Sequence, residues 1–182
     1  MKKFFATLMF AGVMLTAGVA FGQNPVQVGG QPMYANKNIV ENAVNSADHT
    51  TLVAAVKAAG LVETLQGVGP FTVFAPVNAA FSALPAGTVE TLLKPANKNQ
   101  LVSVLTYHVV AGRLNFKALE RQIKSGGGKA TLKTVQGGTL MATMNGDNII
   151  VTDSKGGAAN ITITNVNQSN GVIHVIDRVL LP

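Results

Sequence analysis

A short run of strand-forming residues, Phe71-Thr72-Val73-Phe74, stands alone among helical segments, far upstream of any other strand-like stretch. A lone strand has no partner of its own, so this run must join a sheet whose other members arrive late in the chain. The Gly69-Pro70 pair in front of it stops whatever precedes. Pro76 lacks an N–H and biases Ala75 toward extended geometry, so the ladder is expected to end there. Asn78 then stands where it can cap a short helix that carries Ala79, Phe81 and Leu84 inward. The stretch reads as a strand that turns sharply into a helix, pinned by phenylalanines.

The segments on either side carry two different periods. Upstream, Ile39, Val40, Ala43 and Val44 recur at helical spacing; Leu52, Val53, Val56 and Ala59 form a second apolar face, opened by Asp48 or Thr50 and closed by Gly60. Leu61, Val62 and Leu65 add a further turn. Downstream, Thr88 to Leu93 is a short helix, and Asn97 with Gln100 has the capping-box spacing. The helix expected after it carries Leu101, Val104, Leu105 and His108 at i, i+3, i+4 and i+7, which puts the histidine on the apolar stripe. Asn115 can cap a last helix with Phe116, Leu119 and Ile123 facing inward. From Gly126 the period changes to two: Ala130 to Val135, Thr139 to Met144, Asn148 to Thr152, Ile161 to Val166 and Val172 to Leu181 all read as strands. Gly137-Gly138, Asn145-Gly146 and Gly156-Gly157 separate them. Helices first and strands later, with one early strand, is an α+β layout held by non-local pairing.

Three stretches carry a resemblance. Thr72-Val73-Phe74-Ala75-Pro76-Val77-Asn78-Ala79-Ala80-Phe81 resembles the first signature of the fasciclin family, T-V-F-A-P-T-N-x-A-F, with Val77 standing where the family usually has a hydroxyl. Tyr107-His108-Val109-Val110 is similar to the family's Tyr-His motif, and the run from Asn170 to Pro182 resembles its second signature. The resemblance covers residues 38–182. It implies an α+β, FAS1-type fold: a wedge-shaped β-sandwich with helices packed along one side. It also implies structural roles within the signatures for Thr72, Phe74, Pro76, Asn78, Phe81, His174 and Asp177. Adhesion activity in the family is often placed on the Tyr-His pair, which nominates Tyr107 and His108 as partner contacts. A second role stays open for both: the pair ends an amphipathic helix and enters a strand, so it can equally serve to close the domain.

Before the domain, Met1-Lys2-Lys3 and the apolar run to Ala20 end on small residues before Gln23, the pattern of a signal peptide over residues 1–22 cleaved after Gly22. Residues 23–37, rich in Gly, Pro, Gln and Asn, read as a flexible entry segment. The expected location is therefore periplasmic or extracellular, with no membrane span left after cleavage. The chain has no cysteine, so neither a disulfide framework nor a lipid-bearing cysteine is available. Its 182 residues suffice for one domain with a real core.

Chemistry-bearing motifs are sparse. The three histidines, His49, His108 and His174, are far apart, without metal-ligand spacing or an acidic cluster beside them, so no metal and no cofactor is expected. No G-x-S-x-G occurs, and Ser125-Gly126-Gly127-Gly128-Lys129 lacks both the first glycine and the Ser or Thr of a phosphate loop. These absences argue against an enzyme. No Arg-Gly-Asp is present, so integrin recognition through that tripeptide is excluded. What remains is binding: adhesion to a cell-surface or matrix component, or, as the alternative, carriage of an apolar small molecule such as a carotenoid, which some relatives in the family bind.

Charge adds one cue. Of the formal +6, Lys2 and Lys3 lie in the leader, leaving +4, too little for a nucleic-acid-type field. Between Arg113 and Lys133, however, six basic residues face a single acid, Glu120. Lys117, Arg121 and Lys124 are spaced four and three apart and so share one side of the helix after Asn115, with Lys129 and Lys133 expected to return near its end. The stripe is either a solvated helix face or a contact for an anionic polymer.

Overall fold

The computed structural model describes residues 25–182; the expected signal peptide, with its expected cleavage after Gly22, lies outside the described residues. Residues 25–37, expected as part of a flexible entry, instead carry a hairpin of β1 (Val26–Val28) and β2 (Gln31–Met33). Gly29 and Gly30 both take positive φ, as a two-residue hairpin turn requires. Val28 and Met33, each 4% exposed, anchor the hairpin in the core. Two buried side chains flanking a Gly-Gly turn outweigh the linker-like composition.

The helices follow in the expected order. α1 (Ile39–Ala43) starts at a capping box in which Asn38 Oδ1 accepts from the Glu41 N–H at 2.9 Å and Glu41 accepts from the Asn38 N–H at 2.7 Å. A 3-10 turn at Ala47–His49 leads into α2 (Thr50–Ala59), which ends on Gly60 at φ 73°, a left-handed cap that favours glycine. α3 (Val62–Gln66) precedes β3 (Phe71–Pro76), which ends at its proline. Three short helical pieces, α4 (Asn78–Ser82), α5 (Thr88–Leu92) and a 3-10 turn at Pro95–Asn97, lead to α6 (Lys98–Tyr107). β4 (Val109–Ala111) and α7 (Phe116–Ser125) come next, the latter capped by Asn115 Oδ1 on the Ala118 N–H at 2.9 Å. Five strands complete the chain: β5 (Lys129–Lys133), β6 (Thr139–Asn145), β7 (Asn148–Thr152), β8 (Ala158–Gln168) and β9 (Gly171–Ile176).

Two caps differ from the sequence reading. Val77, not Asn78, occupies the cap position of α4, and it offers no side-chain hydrogen bond. Asn78 is spent elsewhere: its Oδ1 accepts from the Thr51 N–H at 3.0 Å and its Nδ2 donates to Ala47 C=O at 2.9 Å, tying α4 to the start of α2. Asn97 likewise does not cap α6; its Nδ2 donates to Thr91 C=O at 2.7 Å, stitching α5 to the turn before α6. In both cases the side chain bonds a group outside the helix start in place of the local N–H groups.

The sheet has the order β4-β3-β9-β8-β7-β6-β5. The early strand lies beside the last one, β3 parallel to β9 from Phe71↔Gly171 to Pro76↔Ile176, and every other pairing is antiparallel. Gly171 is required there because a Cβ would collide with the Phe71 carbonyl oxygen. The sheet folds over until its two edges meet: Val110 bridges Thr134, and the Val135 N–H donates to Val109 C=O at 2.7 Å. This removes edges that would otherwise be left unpaired. Inside the fold lies one core, built from Phe74, Val110, Ile176, the inward residues of β5 to β7, and Leu119 and Ile123 of α7. Outside it, α1 to α6 cover the opposite face of β3, β9 and β4, packing against Val73, Ala75, Ile173 and Val175. Accordingly β9 is buried at every position, whereas β5 alternates between exposed and buried. The architecture is α+β, a folded sandwich with helices along one side.

Candidate functional site

The pair nominated for partner binding sits where α6 runs into β4, and the fold turns both side chains inward. Tyr107 is 1% exposed and His108 is 3% exposed. Tyr107 Oη donates to Thr139 C=O at 2.7 Å and accepts from the Ser154 N–H at 3.0 Å. Its ring lies so close to Gly138 that a Cβ there would come within 2.9 Å of Tyr107 Cε2. His108 Nδ1 donates to Val104 C=O at 2.8 Å, one turn back in the helix, and Nε2 accepts from the Leu180 N–H at 3.0 Å. This pattern requires the neutral ring with its proton on Nδ1. Burial drives the His108 pKa down to about 4, opposed by the hydrogen bond to Val104 and by the charge of Asp153. Asp153 completes the group: Oδ1 accepts from the Lys155 and Gly157 N–H groups, and Oδ2 accepts from the Leu181 N–H at 3.0 Å. Tyr107, His108 and Asp153 thus lock the β7–β8 turn and the C-terminal residues Leu180 and Leu181 onto the end of α6. Both side chains of the Tyr-His pair are buried, and their polar atoms are hydrogen-bonded within the domain.

The other histidines are also interior. His174, in the middle of β9, is fully buried and stacks on Phe74 with ring centroids 5.8 Å apart. Its Nε2 donates to Leu114 C=O at 2.8 Å, while Nδ1 has no partner among the described residues. His49 receives the Ser46 hydroxyl on Nδ1 at 2.8 Å and turns Nε2 toward Ala75 C=O at 3.4 Å. Burial lowers the pKa of both rings. Among the described residues no three His, Asp or Glu side chains gather as a metal site would require.

The remaining signature residues are also engaged within the fold. Thr72 Oγ1 donates to Gly112 C=O at 2.7 Å and accepts from the Leu114 N–H at 2.8 Å, which shapes the loop into α7. Phe81 and Pro76 are buried. The Asp177 carboxylate holds the Asn160 N–H at 2.8 Å and its Nδ2 at 2.7 Å, clamping the end of β9 to β8. Asn170, at the β8–β9 turn, accepts from the Ile39 N–H at 3.1 Å and donates to Leu65 C=O and Gly67 C=O, so one side chain gathers α1, α3 and the sheet.

The basic region divides into three parts. Arg113 is engaged with the β8–β9 turn, donating to Gly171 C=O at 2.7 Å and to Gln168 and Ser169 C=O. Lys129 and Lys133 alternate with buried Ala130 and Leu132, so they leave from the face of β5 opposite to the one α7 covers. That leaves Lys117, Arg121 and Lys124 exposed on α7, with Lys124 paired to Glu120 at 2.6 Å. Among the described residues Lys117 and Arg121 enter no ion pair. Sequence reasoning found this helix face and the buried histidine. It missed the Arg113 latch and the Asn170 hub, whose partners lie far along the chain.

A folded sheet with its helices on one side, closed by a buried Tyr-His pair, defines a fasciclin-type domain. The chain belongs to the fasciclin family: the family model for the fasciclin domain matches residues 47–182. Among similar proteins, sll1483 of Synechocystis sp. is 48% identical over 145 residues, 79% of this chain and 73% of that one. The immunogenic protein MPB70 of Mycobacterium bovis is 38% identical over 77% of this chain and 66% of its own. The cell surface glycolipoprotein MPB83 of the same species is 33% identical over 88% of this chain and 67% of its own. The fold matches a FAS1 domain pair from the insect cell adhesion molecule fasciclin I, with a TM-score of 0.70 at 18% identity. That match covers 80% of this chain and about half, 51%, of the two-domain structure. Among the described residues no helix is long and apolar enough to cross a membrane.

Proposed function

We propose that this protein is an exported, non-enzymatic binding protein that attaches to an anionic polymer of the cell surface or matrix through the outer face of α7. The observation that supports it is the contrast in exposure: the histidines and Tyr107 are buried and engaged inside the fold, while Lys117 and Arg121 are exposed and enter no ion pair among the described residues. An interior, neutral histidine without a solvent-facing nucleophile beside it does not serve hydrolysis. Two exposed cations on one helix face do serve attraction to a polyanion, and such attraction weakens as salt screens it over about 8–10 Å. The test is binding of the mature chain to alginate, to phosphatidylglycerol vesicles and to duplex DNA, each at low and high salt. Lys117→Glu with Arg121→Glu should abolish binding to the polymer engaged and leave the melting temperature unchanged. Equal binding by the double variant at low salt refutes the reading.

A second reading, carriage of an apolar small molecule, has one observation in its favour. An almost wholly apolar cavity of about 80 Å³ lies between α2, α3 and the sheet, lined by Leu52, Val56, Leu65, Val73, Leu105 and Ile173 among others. A cavity of about 150 Å³ is what accommodates benzene. The cavity therefore suits a guest of a few carbons, and a carotenoid would require the helices to lift from the sheet.

A further inference from the structure

A groove of about 390 Å³ runs between the β1–β2 hairpin, the first turn of α7 and the middle of β8. Its polar lining is Tyr34, Asn115, Thr164, Asn165 and Asn167, and no charged residue takes part. Pro25, Val26, Met33 and Ala35 supply the apolar remainder. Several of these polar groups have no engagement within the described residues: Tyr34 Oη, Thr164 Oγ1, the Asn167 amide, and the Nδ2 groups of Asn115 and Asn165. The oxygens of the last two are in use, Asn115 on the Ala118 N–H and Asn165 on the Phe116 N–H at 2.7 Å, which fixes each amide and leaves its donor face available. Tyr34 is 43% exposed, and Lys37 Nζ lies 5.2 Å from its ring centroid.

The backbone beneath the groove is also unusual. The β8–β9 register shifts between Ile163 and Val166, so Thr164 and Asn165 together oppose the single residue His174. Asn165 sits at φ 58°, the one positive φ outside glycine among the described residues. Asparagine tolerates that region better than most side chains, yet it is still less favourable there than glycine. The hydrogen bond to Phe116 explains its carbonyl oxygen. Nothing in the packing of the domain explains why donors from Asn165 and Asn167 and the Thr164 hydroxyl should converge on one groove beside a tyrosine ring.

We infer that this groove is a binding subsite for a neutral saccharide. Amides and hydroxyls that both donate and accept match the hydroxyl pattern of a sugar ring. An aromatic ring and short apolar side chains match its C–H faces. No charged side chain lines the groove itself; the Lys37 ammonium lies over the Tyr34 ring. The inference stands apart from the basic face of α7, because the groove would hold its ligand at any salt concentration.

The experiment is titration of the isotope-labelled mature chain with soluble cello-, malto-, galacto- and chito-oligosaccharides up to millimolar concentration, followed by two-dimensional NMR. At least one series should move the signals of Thr164, Asn165 and Asn167, with an affinity that salt does not change. Asn165→Asp keeps the oxygen that holds Phe116 and removes the donor, and Asn167→Ala removes a side chain with no internal contact by hydrogen bond. Each should weaken binding at least tenfold with an unchanged melting temperature, whereas Lys117→Glu with Arg121→Glu should leave it intact. No movement at these residues with any of the four series overturns the inference. So does binding that both Asn165→Asp and Asn167→Ala leave unaltered, and neither result bears on the polyanion reading of α7.

Discussion

Replacing His108 by alanine removes the centre of the lock between α6 and the C-terminal residues. The Leu180 N–H then loses its acceptor in a buried position, at a cost of about 1–3 kcal/mol. The vacated ring adds a cavity term of roughly 2 kcal/mol, because Val104 and the residues around it are held by the helix and relax only in part. The sum, about 3–5 kcal/mol, is a large share of the stability of a small domain. With a urea dependence of roughly 2 kcal/mol per molar, the midpoint should fall by about 1.5–2.5 M. Equilibrium unfolding followed by circular dichroism measures this, since the chain has no tryptophan. The Asp153→Ala variant, which frees Leu181, should couple to it, so that the double variant loses less than the two singles together. A midpoint that scarcely moves, combined with lost binding to a polymer or surface, would refute the reasoning and return the Tyr-His pair to the role of partner contact.

Acidification should destabilise the protein in a window set by the same ring. His108 has a pKa of about 4 in the fold against 6.5 for the ordinary group, so the unfolded chain takes up the proton first; stability is full above pH 6.5, falls as pH drops toward 4, and loses about 3 kcal/mol from this group alone. His49 and His174, lowered in the same direction, add to the loss, and a stability that is flat across this range in urea titrations would contradict the assignment. At the helix start left without a side-chain cap, Val77→Thr should raise stability by about 0.5–2 kcal/mol, less whatever packing the valine supplies; Asn78→Ala should lower it by a similar amount through the loss of the tie to α2.

Sequence patterning determined the element types, because hydrophobic period and turn chemistry reside in neighbouring residues. The predominantly apolar β3 and the alternating β5 differ in the sequence in the same way as they differ in burial. Gly60 and Asn115 terminate and start their helices as expected, since a left-handed cap and an Asn at the cap position act on adjacent backbone. The placement of His108 on an apolar stripe was equally legible, and with it the prospect of an interior, uncharged ring. What only tertiary structure decided was the partner of each polar side chain. Asn78 and Asn97 stand beside helix starts yet bond to Thr51 and Thr91, because the fold brings those groups within 3.0 Å. Arg113 looked like one more surface cation and is a latch on a turn 55 to 58 residues away. The hairpin at residues 26–33 had the composition of a linker and gained its order from the core that Val28 and Met33 enter. The groove over Asn165 could not be read at all, since a bulge exists only relative to the strand it opposes. Local preference is worth about a kcal/mol or less for each residue and a net hydrogen bond about as much, so a partner that the fold brings within reach can override it.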